Sequence, residues 1–143
     1  MNRKKIIRKY LYEAKKDKIR NPSHESVTFY IKTGKGKRLK EHFRLDCIDD
    51  FKKVMVLLKL MNLCREVRAK EVVIIVDTNA FKDKDNKKPE AKSLLLTFEN
   101  HVGNGSVILP YRLNADGQII FGRELWEFDI KKDLPADLGW YFQ

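Results

Sequence analysis

Residues 46–69 read DCIDDFKKVMVLLKLMNLCREVRA, and residues 72–76 read VVIIV. The first segment is apolar around most of its helical circumference, which predicts a helix that is buried in the core and capped by Asp46. The second is a continuous β-branched run, typical of a strand that is covered on both faces. A buried helix followed by a buried strand is therefore predicted at the centre of the fold.

Further elements are predicted on either side of this centre. Residues 2–19 place their apolar side chains on one helical face, which predicts an amphipathic helix. Residues 27–45 alternate on both sides of a turn that contains Gly34 and Gly36, which predicts a hairpin with one apolar and one basic face. After residue 90, three strands are expected, at Ser93–Glu99, Val107–Leu113 and Gln118–Phe128.

Turn residues separate these last strands. Gly103–Gly105 and Asn114–Gly117 contain the Asn and Gly residues that tight hairpins need. Pro110 has no backbone N–H, so one side of its strand is expected to be bulged or unpaired.

The order of elements predicts an α+β fold. It consists of an N-terminal helix, a β-hairpin, a buried central helix, then a strand and a three-stranded antiparallel meander, all in one mainly antiparallel sheet. No linker rich in Gly, Ser or Pro divides the chain, so residues 1–143 are predicted to form a single domain.

Composition excludes several classes of protein. The chain is 43% hydrophobic and contains 8 Phe, 5 Tyr and 2 Trp, which is inconsistent with global disorder. Its longest apolar runs are far shorter than the ~20 residues that cross a bilayer, and residues 1–20 lack the apolar core of a secretory signal. Cys47 and Cys64 are too far apart on one helix to form a disulfide. We therefore expect a cytoplasmic protein with reduced thiols and no membrane contact.

Charge is distributed unevenly along the chain. Residues 1–70 carry 21 Lys and Arg against 8 Asp and Glu, whereas residues 71–143 carry 9 against 12. The basic half predicts a surface that binds nucleic acid or an acidic protein, because neutralising phosphates releases their counterions. A basic surface that only keeps the protein in solution is the alternative. The candidate binding residues are Arg8, Lys9, Tyr30, Lys35, Lys37, Arg38, Lys40, His42 and Arg44.

Asp77-Thr78-Asn79 follows the predicted central strand and resembles the motif that opens nuclease domains of the PIN type. In that family, such an Asp helps to hold a divalent metal. The meander that follows departs from the alternating helices and strands of those domains, and the resemblance covers three residues. Asp77 at the start of a loop is the simpler interpretation.

Asp77, Glu90 and Lys92 resemble the pattern of the PD-(D/E)xK nucleases. That resemblance implies two carboxylates that bind Mg²⁺ and a lysine that positions or deprotonates water. The strands predicted after Lys92 depart from the helix and strand that this family requires. A Mg²⁺-dependent phosphodiesterase is therefore the alternative to a non-catalytic module, and no family is assigned.

No cofactor or metal is expected for the leading interpretation. The three histidines and two cysteines lack the spacing of zinc sites, and residues 83–88 lack the glycine of a calcium loop. A homodimer is possible in two ways, through a free sheet edge or through the aromatic side chains of Trp140, Tyr141 and Phe142.

Overall fold

The computed structural model describes residues 3–45, 49–77, 92–100 and 103–128. In chain order, the elements are α1 (Arg3–Arg20), β1 (Ser26–Lys32), β2 (Arg38–Arg44), α2 (Asp50–Glu66), β3 (Glu71–Asp77), β4 (Lys92–Asn100), β5 (Gly103–Leu113), β6 (Ile119–Phe121) and β7 (Leu125–Phe128). Two helices and a mostly antiparallel sheet of seven strands confirm the α+β class within the described residues.

The strands are ordered β2-β1-β3-β4-β5, and both β6 and β7 pair with β5. The sequence predicts one strand at residues 118–128, but the structure has two. Tyr111–Leu113 pair with β6, whereas Gly105–Ile108 pair with β7. Pro110 lies opposite the break between them and has no ladder partner on that side, as expected of a residue without a backbone N–H. Its carbonyl nevertheless accepts a hydrogen bond from the Gly122 N–H at 2.7 Å.

One predicted turn is wrong and the other is confirmed. Gly103 and Gly105 belong to β5, where they pair with Asn100 and Phe98, because the ladder with β4 continues through the glycines. Asn114–Gly117 do form a tight turn. Gly117 has a φ of 78°, and the Asn114 N–H donates to the Gln118 carbonyl at 2.9 Å.

The two helices cover opposite faces of the sheet. Ile7, Leu11 and Ala14 of α1 pack on one face, and Leu60 and Cys64 of α2 pack on the other. The side chains of β3 alternate between these two cores, so β3 is covered on both faces as its sequence predicts. The sheet therefore lies between the two helices, whereas the sequence predicts a buried helix at the centre of the fold.

α2 is less enclosed than its sequence predicts. It begins after Asp49, whose carboxylate accepts a hydrogen bond from the Lys52 N–H at 2.8 Å, so Asp49 and not Asp46 is the N-cap. Among the described side chains of this helix, only those of Leu60 and Cys64 are buried, because α2 contacts one face of the sheet. Exposed apolar side chains remain on α2, those of Phe51, Val54, Met55 and Leu58.

The β1–β2 hairpin forms in the predicted place. Lys32 pairs with Arg38 next to the turn, and Ser26 pairs with Arg44 at the other end. Cys64 is a buried free thiol, and burial raises its pKa to about 12; Cys47 lies outside the described residues. Neither α1 nor α2 is long and apolar enough to cross a membrane.

Candidate binding surface

Four predicted binding residues form a row on β2. Arg38, Lys40, His42 and Arg44 alternate along the strand and therefore point to the same face of the sheet, the face that α1 covers. We call these four residues the basic row. All four are exposed, because β2 is the edge strand and α1 lies over its neighbours.

Lys40 connects the basic row to α1. Its ammonium lies 3.6 Å from the Asp17 carboxylate and 5.5 Å from the centroid of the Tyr30 ring. Partial burial on its own would lower the pKa of Lys40, but the Tyr30 hydroxyl and the Asp17 carboxylate raise it overall. Lys40 is therefore a permanent cation whose position is restrained.

His42 contributes little charge to the row. Its Nδ1 lies 2.7 Å from the Thr28 hydroxyl, in a hydrogen bond whose direction depends on the tautomer. Partial burial of the imidazole ring lowers the pKa of His42 below its ordinary 6.5, and the nearby cation of Lys40 lowers it further, against the opposing effect of Asp17. The ring is therefore neutral at pH 7, and the positive charge of the row comes from its Arg and Lys side chains.

The turn that follows β1 extends the basic surface and is held against the end of α2. The Gly34 N–H donates to the Val67 carbonyl at 3.1 Å, and the Lys70 N–H donates to the Lys32 carbonyl at 2.7 Å. A Cβ on Gly34 would lie 3.1 Å from the Arg68 carbonyl oxygen, so this close approach favours glycine. The exposed side chains of Lys35 and Lys37 are thus presented on an anchored turn.

The remaining predicted residues lie in two places. Lys9 of α1 borders a depression together with Arg38 and Tyr30, so it adds to the same surface. Arg8 lies apart, with its guanidinium 5.5 Å from the centroid of the Trp126 ring of β7. The structure therefore gathers eight of the nine predicted residues around the hairpin and separates Arg8 from them.

Little of this charge is neutralised locally. Lys9, Lys35, Lys37 and Arg38 form no ion pair with other residues in the described ranges, whereas Lys40 is paired with Asp17. The surface is therefore cationic at neutral pH.

A polar cavity of 230 Å³ lies between the end of α1 and the sheet. Tyr30, Lys40 and His42 of the basic surface line it, as do His24 and the buried residues Lys18 and Asp77. The Tyr30 hydroxyl is buried and has no hydrogen-bond partner within the described ranges, and burial raises its pKa. The volume is below the ~300–1,000 Å³ of typical ligand pockets, so the cavity has room for waters or one small polar group.

A buried polar cluster forms the inner wall of the cavity. The Lys18 ammonium donates to the Asp77 carboxylate at 2.7 Å and to the His24 carbonyl at 2.8 Å. The Tyr111 hydroxyl donates to both Asp77 oxygens, at 2.9 and 2.7 Å. Burial, and then the hydrogen bond to Asp77, raise the pKa of Tyr111, so it remains a donor. This cluster joins the end of α1 to β3 and β5.

The residues of the alternative metal site are only partly described. Asp77 ends β3 and pairs with Leu94, so Lys92, two residues before Leu94, lies on the same face of the adjacent strand. Glu90 lies outside the described residues. Within the described ranges, no group of three or more His, Cys, Asp and Glu side chains is arranged to hold a metal ion.

Lys18, Tyr111 and His24 were not among the predicted site residues. The sequence signal for Lys18 is weak, because a lysine on a basic helix is normally exposed. It does, however, lie four residues after Ala14 and seven after Leu11, on the apolar stripe of α1. A charged residue at a core position of a helix is therefore the sequence feature that could have identified this cluster.

Comparison of the chain with models of known protein families, with curated proteins and with solved structures finds no significant match.

Proposed function

We propose that this protein is a non-catalytic binding module that contacts a polyanionic partner, nucleic acid or an acidic protein surface, in the cytoplasm. The observation that carries the proposal is the basic surface formed by the anchored Lys35–Lys37 turn, the basic row of β2 and Lys9 of α1. Its cations lie on adjacent elements and most of them lack an ion pair with the described residues.

The physical basis is electrostatic. A cationic surface attracts a phosphate or carboxylate chain and releases the counterions condensed on it, so affinity falls as salt rises. The restrained backbone of the turn supports the proposal, because a turn that is already ordered loses less conformational entropy on binding. Tyr30 is half-buried and packs at 4.8 Å, centroid to centroid, on Tyr10, so it supports the Lys40 side chain rather than offering an open ring for a base to stack on.

The test is a fluorescence anisotropy titration with labelled single- and double-stranded DNA, RNA and polyglutamate at two salt concentrations. The double variant Lys37→Gln/Arg38→Gln is compared with Arg112→Gln/Arg123→Gln, which removes the same charge from exposed positions near the opposite edge of the sheet. We expect the first variant to weaken binding to at least one polyanion and to reduce the salt slope by about 0.7–0.9 per lost phosphate contact, and the second to have little effect.

Equal losses of affinity in the two double variants would mean that binding depends on the net charge of the protein and not on the basic surface. Absence of binding to every polyanion would leave the basic surface as a solubility feature and would overturn the proposal.

A Mg²⁺-dependent phosphodiesterase that uses Asp77, Glu90 and Lys92 is the second candidate. One observation favours it, since Asp77 and Lys92 share a face on neighbouring strands. Another weighs against it, because the Asp77 carboxylate already accepts hydrogen bonds from Lys18 and Tyr111 inside the core.

The phosphodiesterase is tested in the same titration, with the oligonucleotides examined on a gel afterwards. Strand loss that needs Mg²⁺ and disappears in Glu90→Gln and Lys92→Met would support it. Intact strands with and without Mg²⁺ would eliminate it.

A further inference from the structure

The free edge of the sheet at β2 has backbone groups that point away from the molecule. Thr33 N–H donates to the Lys37 carbonyl at 2.8 Å, and Leu45 N–H donates to the Glu25 carbonyl at 2.7 Å. Hydrogen-bonded pairs alternate along an antiparallel ladder, so residues 39, 41 and 43 also bond to β1. The N–H and C=O groups of Arg38, Lys40 and His42 therefore face outward, along a strand that, among the described residues, pairs only with β1.

An apolar groove runs beside this edge, on the face opposite to the basic row. It lies between β2 and α2 and has a volume of 1030 Å³. Phe43, Met55, Leu58 and Leu63 are among its apolar lining residues, and Met55 and Leu58 are 48% and 43% exposed. An apolar surface of α2 is thus left exposed next to β2, on the side where a further strand would lie.

Charged side chains of α2 and β2 border the groove and balance one another, Lys52 and Lys59 against Glu41 and Glu66. Arg44, at the end of the basic row, also lies beside the groove. On the other face of β2, the basic row presents only cations and the neutral His42.

These two faces specify the chemistry of a strand added at this edge. Its side chains would alternate between the α2 face, where apolar groups fill the groove, and the α1 face, where acidic groups lie beside Arg38 and Lys40. A second copy of this chain fits poorly. An antiparallel pair of β2 strands about a two-fold axis perpendicular to the sheet brings the two basic rows together, and like charges repel.

We propose that β2 binds an extended segment of another protein as an additional strand, and that this segment alternates acidic with apolar side chains. This proposal rests on the proposed function, since it identifies the polyanionic partner as an acidic protein segment and β2 as its docking element. Main-chain hydrogen bonds supply affinity in this mode, and the alternating side chains supply specificity.

The probe is a synthetic ten-residue peptide in which Glu and Val alternate. Its controls are a peptide of the same composition with the Glu and Val residues in two blocks, and a peptide that alternates Lys with Val. Binding is measured by anisotropy, and amide hydrogen exchange of Arg38 and Lys40 is measured with and without peptide. We expect the alternating acidic peptide to bind at least tenfold more tightly than either control and to slow exchange at these two amides.

Two variants test the groove separately from the basic surface. Met55→Glu places a carboxylate in the groove, so it should weaken peptide binding at least tenfold and leave oligonucleotide binding as in the wild type. Leu113→Glu changes an apolar side chain of similar exposure, 41%, outside the groove and is the matched control. His42→Pro removes one outward N–H without breaking the ladder to β1 and should also weaken peptide binding.

Equal affinity for the alternating and block peptides, or slowed exchange at neither amide, would overturn the proposal. Oligonucleotide binding without peptide binding would overturn it too, but would leave the proposed function standing. If neither polyanions nor peptides bind, both fail.

Discussion

Lys18 and Asp77 lie 59 residues apart in the sequence and form a 2.7 Å ion pair in which the side chains are only 6% and 1% exposed. The pair fixes the last turn of α1 to the end of β3. Tyr111 completes it by donating to the same carboxylate. Because α1 borders the basic row, this pair also determines where Asp17 and Lys9 stand relative to β2.

Removal of either member of the pair should destabilise the fold strongly. Lys18→Met or Asp77→Asn leaves one buried charge without its partner, which costs about 3–5 kcal/mol. The double variant should lose clearly less free energy of unfolding than the sum of the losses in the two single variants, because no buried charge remains. Urea denaturation measures the free energy of unfolding of all three variants.

The exposed pair of Lys40 and Asp17, 3.6 Å apart, is the control. Asp17→Asn should lower the free energy of unfolding by no more than about 1 kcal/mol, because solvent screens the ion pair. Additive losses in the Lys18 and Asp77 cycle would show that the two charges do not stabilise one another.

Tyr111→Phe should destabilise the protein by about 1.5–3 kcal/mol, because Asp77 loses a hydrogen bond to its charged carboxylate. The aromatic ring and its packing are retained, which confines the change to the hydroxyl. Thermal unfolding of this variant beside Tyr12→Phe, which alters an exposed tyrosine, isolates the effect. Equal melting temperatures for the two variants would contradict the assignment.

Arg68→Gly should stabilise the protein by up to about 1 kcal/mol. Arg68 has a φ of 52°, and the Ala69 N–H donates to the Cys64 carbonyl at 3.0 Å, as in the Schellman motif that ends many helices with glycine. Val67→Gly, at a φ of −86°, is the control and should destabilise. A lower melting temperature for Arg68→Gly than for wild type would show that contacts of the arginine outweigh its backbone strain.

His42 should make stability depend on pH. Burial lowers its folded-state pKa below the ordinary value of 6.5, so the unfolded chain binds the proton more tightly than the folded protein does. The contribution of His42 to the stability of the fold is therefore fully present above pH 6.5 and is lost as the pH falls through the pKa of His42 in the folded protein. The charge of Asp17 raises the pKa of His42 and so opposes the effect of burial, whereas Lys40 and His24 lower this pKa further.

The measurement compares the free energy of unfolding of wild type and His42→Asn between pH 8 and pH 5. We expect the difference between them to shift in favour of the variant at low pH. A constant difference across this range would show that His42 has the same pKa in the folded and unfolded states.

Local patterns were sufficient to predict most of the fold. Alternation at residues 27–45 predicted the hairpin and its basic face, and the β-branched run at 72–76 predicted a strand covered on both sides. The wrong predictions concern features that depend on contacts between elements distant in the sequence. The apolar circumference of α2 suggested full burial, but the number of elements that pack on a helix depends on the topology, and the sheet offers α2 only one face.

The candidate site also has one part that the sequence predicts and one part that it does not. The cations of β2 could be predicted from strand periodicity, because their spacing alone places them on one face. The cluster of Lys18, Asp77 and Tyr111 could not, since its members come from three elements that only the folded sheet brings together. The separation of Arg8 from the other predicted residues likewise depends on its contact with Trp126.

The most direct test of the binding surface is an NMR titration that follows backbone amide shifts while a single-stranded oligonucleotide, and separately the alternating Glu and Val peptide, is added. The account predicts that at least one of them shifts the amides of residues 33–44, and that Gly105–Ile108 at the other side of the sheet remain unchanged. Shifts confined to residues outside the hairpin and α1, or no shifts with either probe, would contradict it.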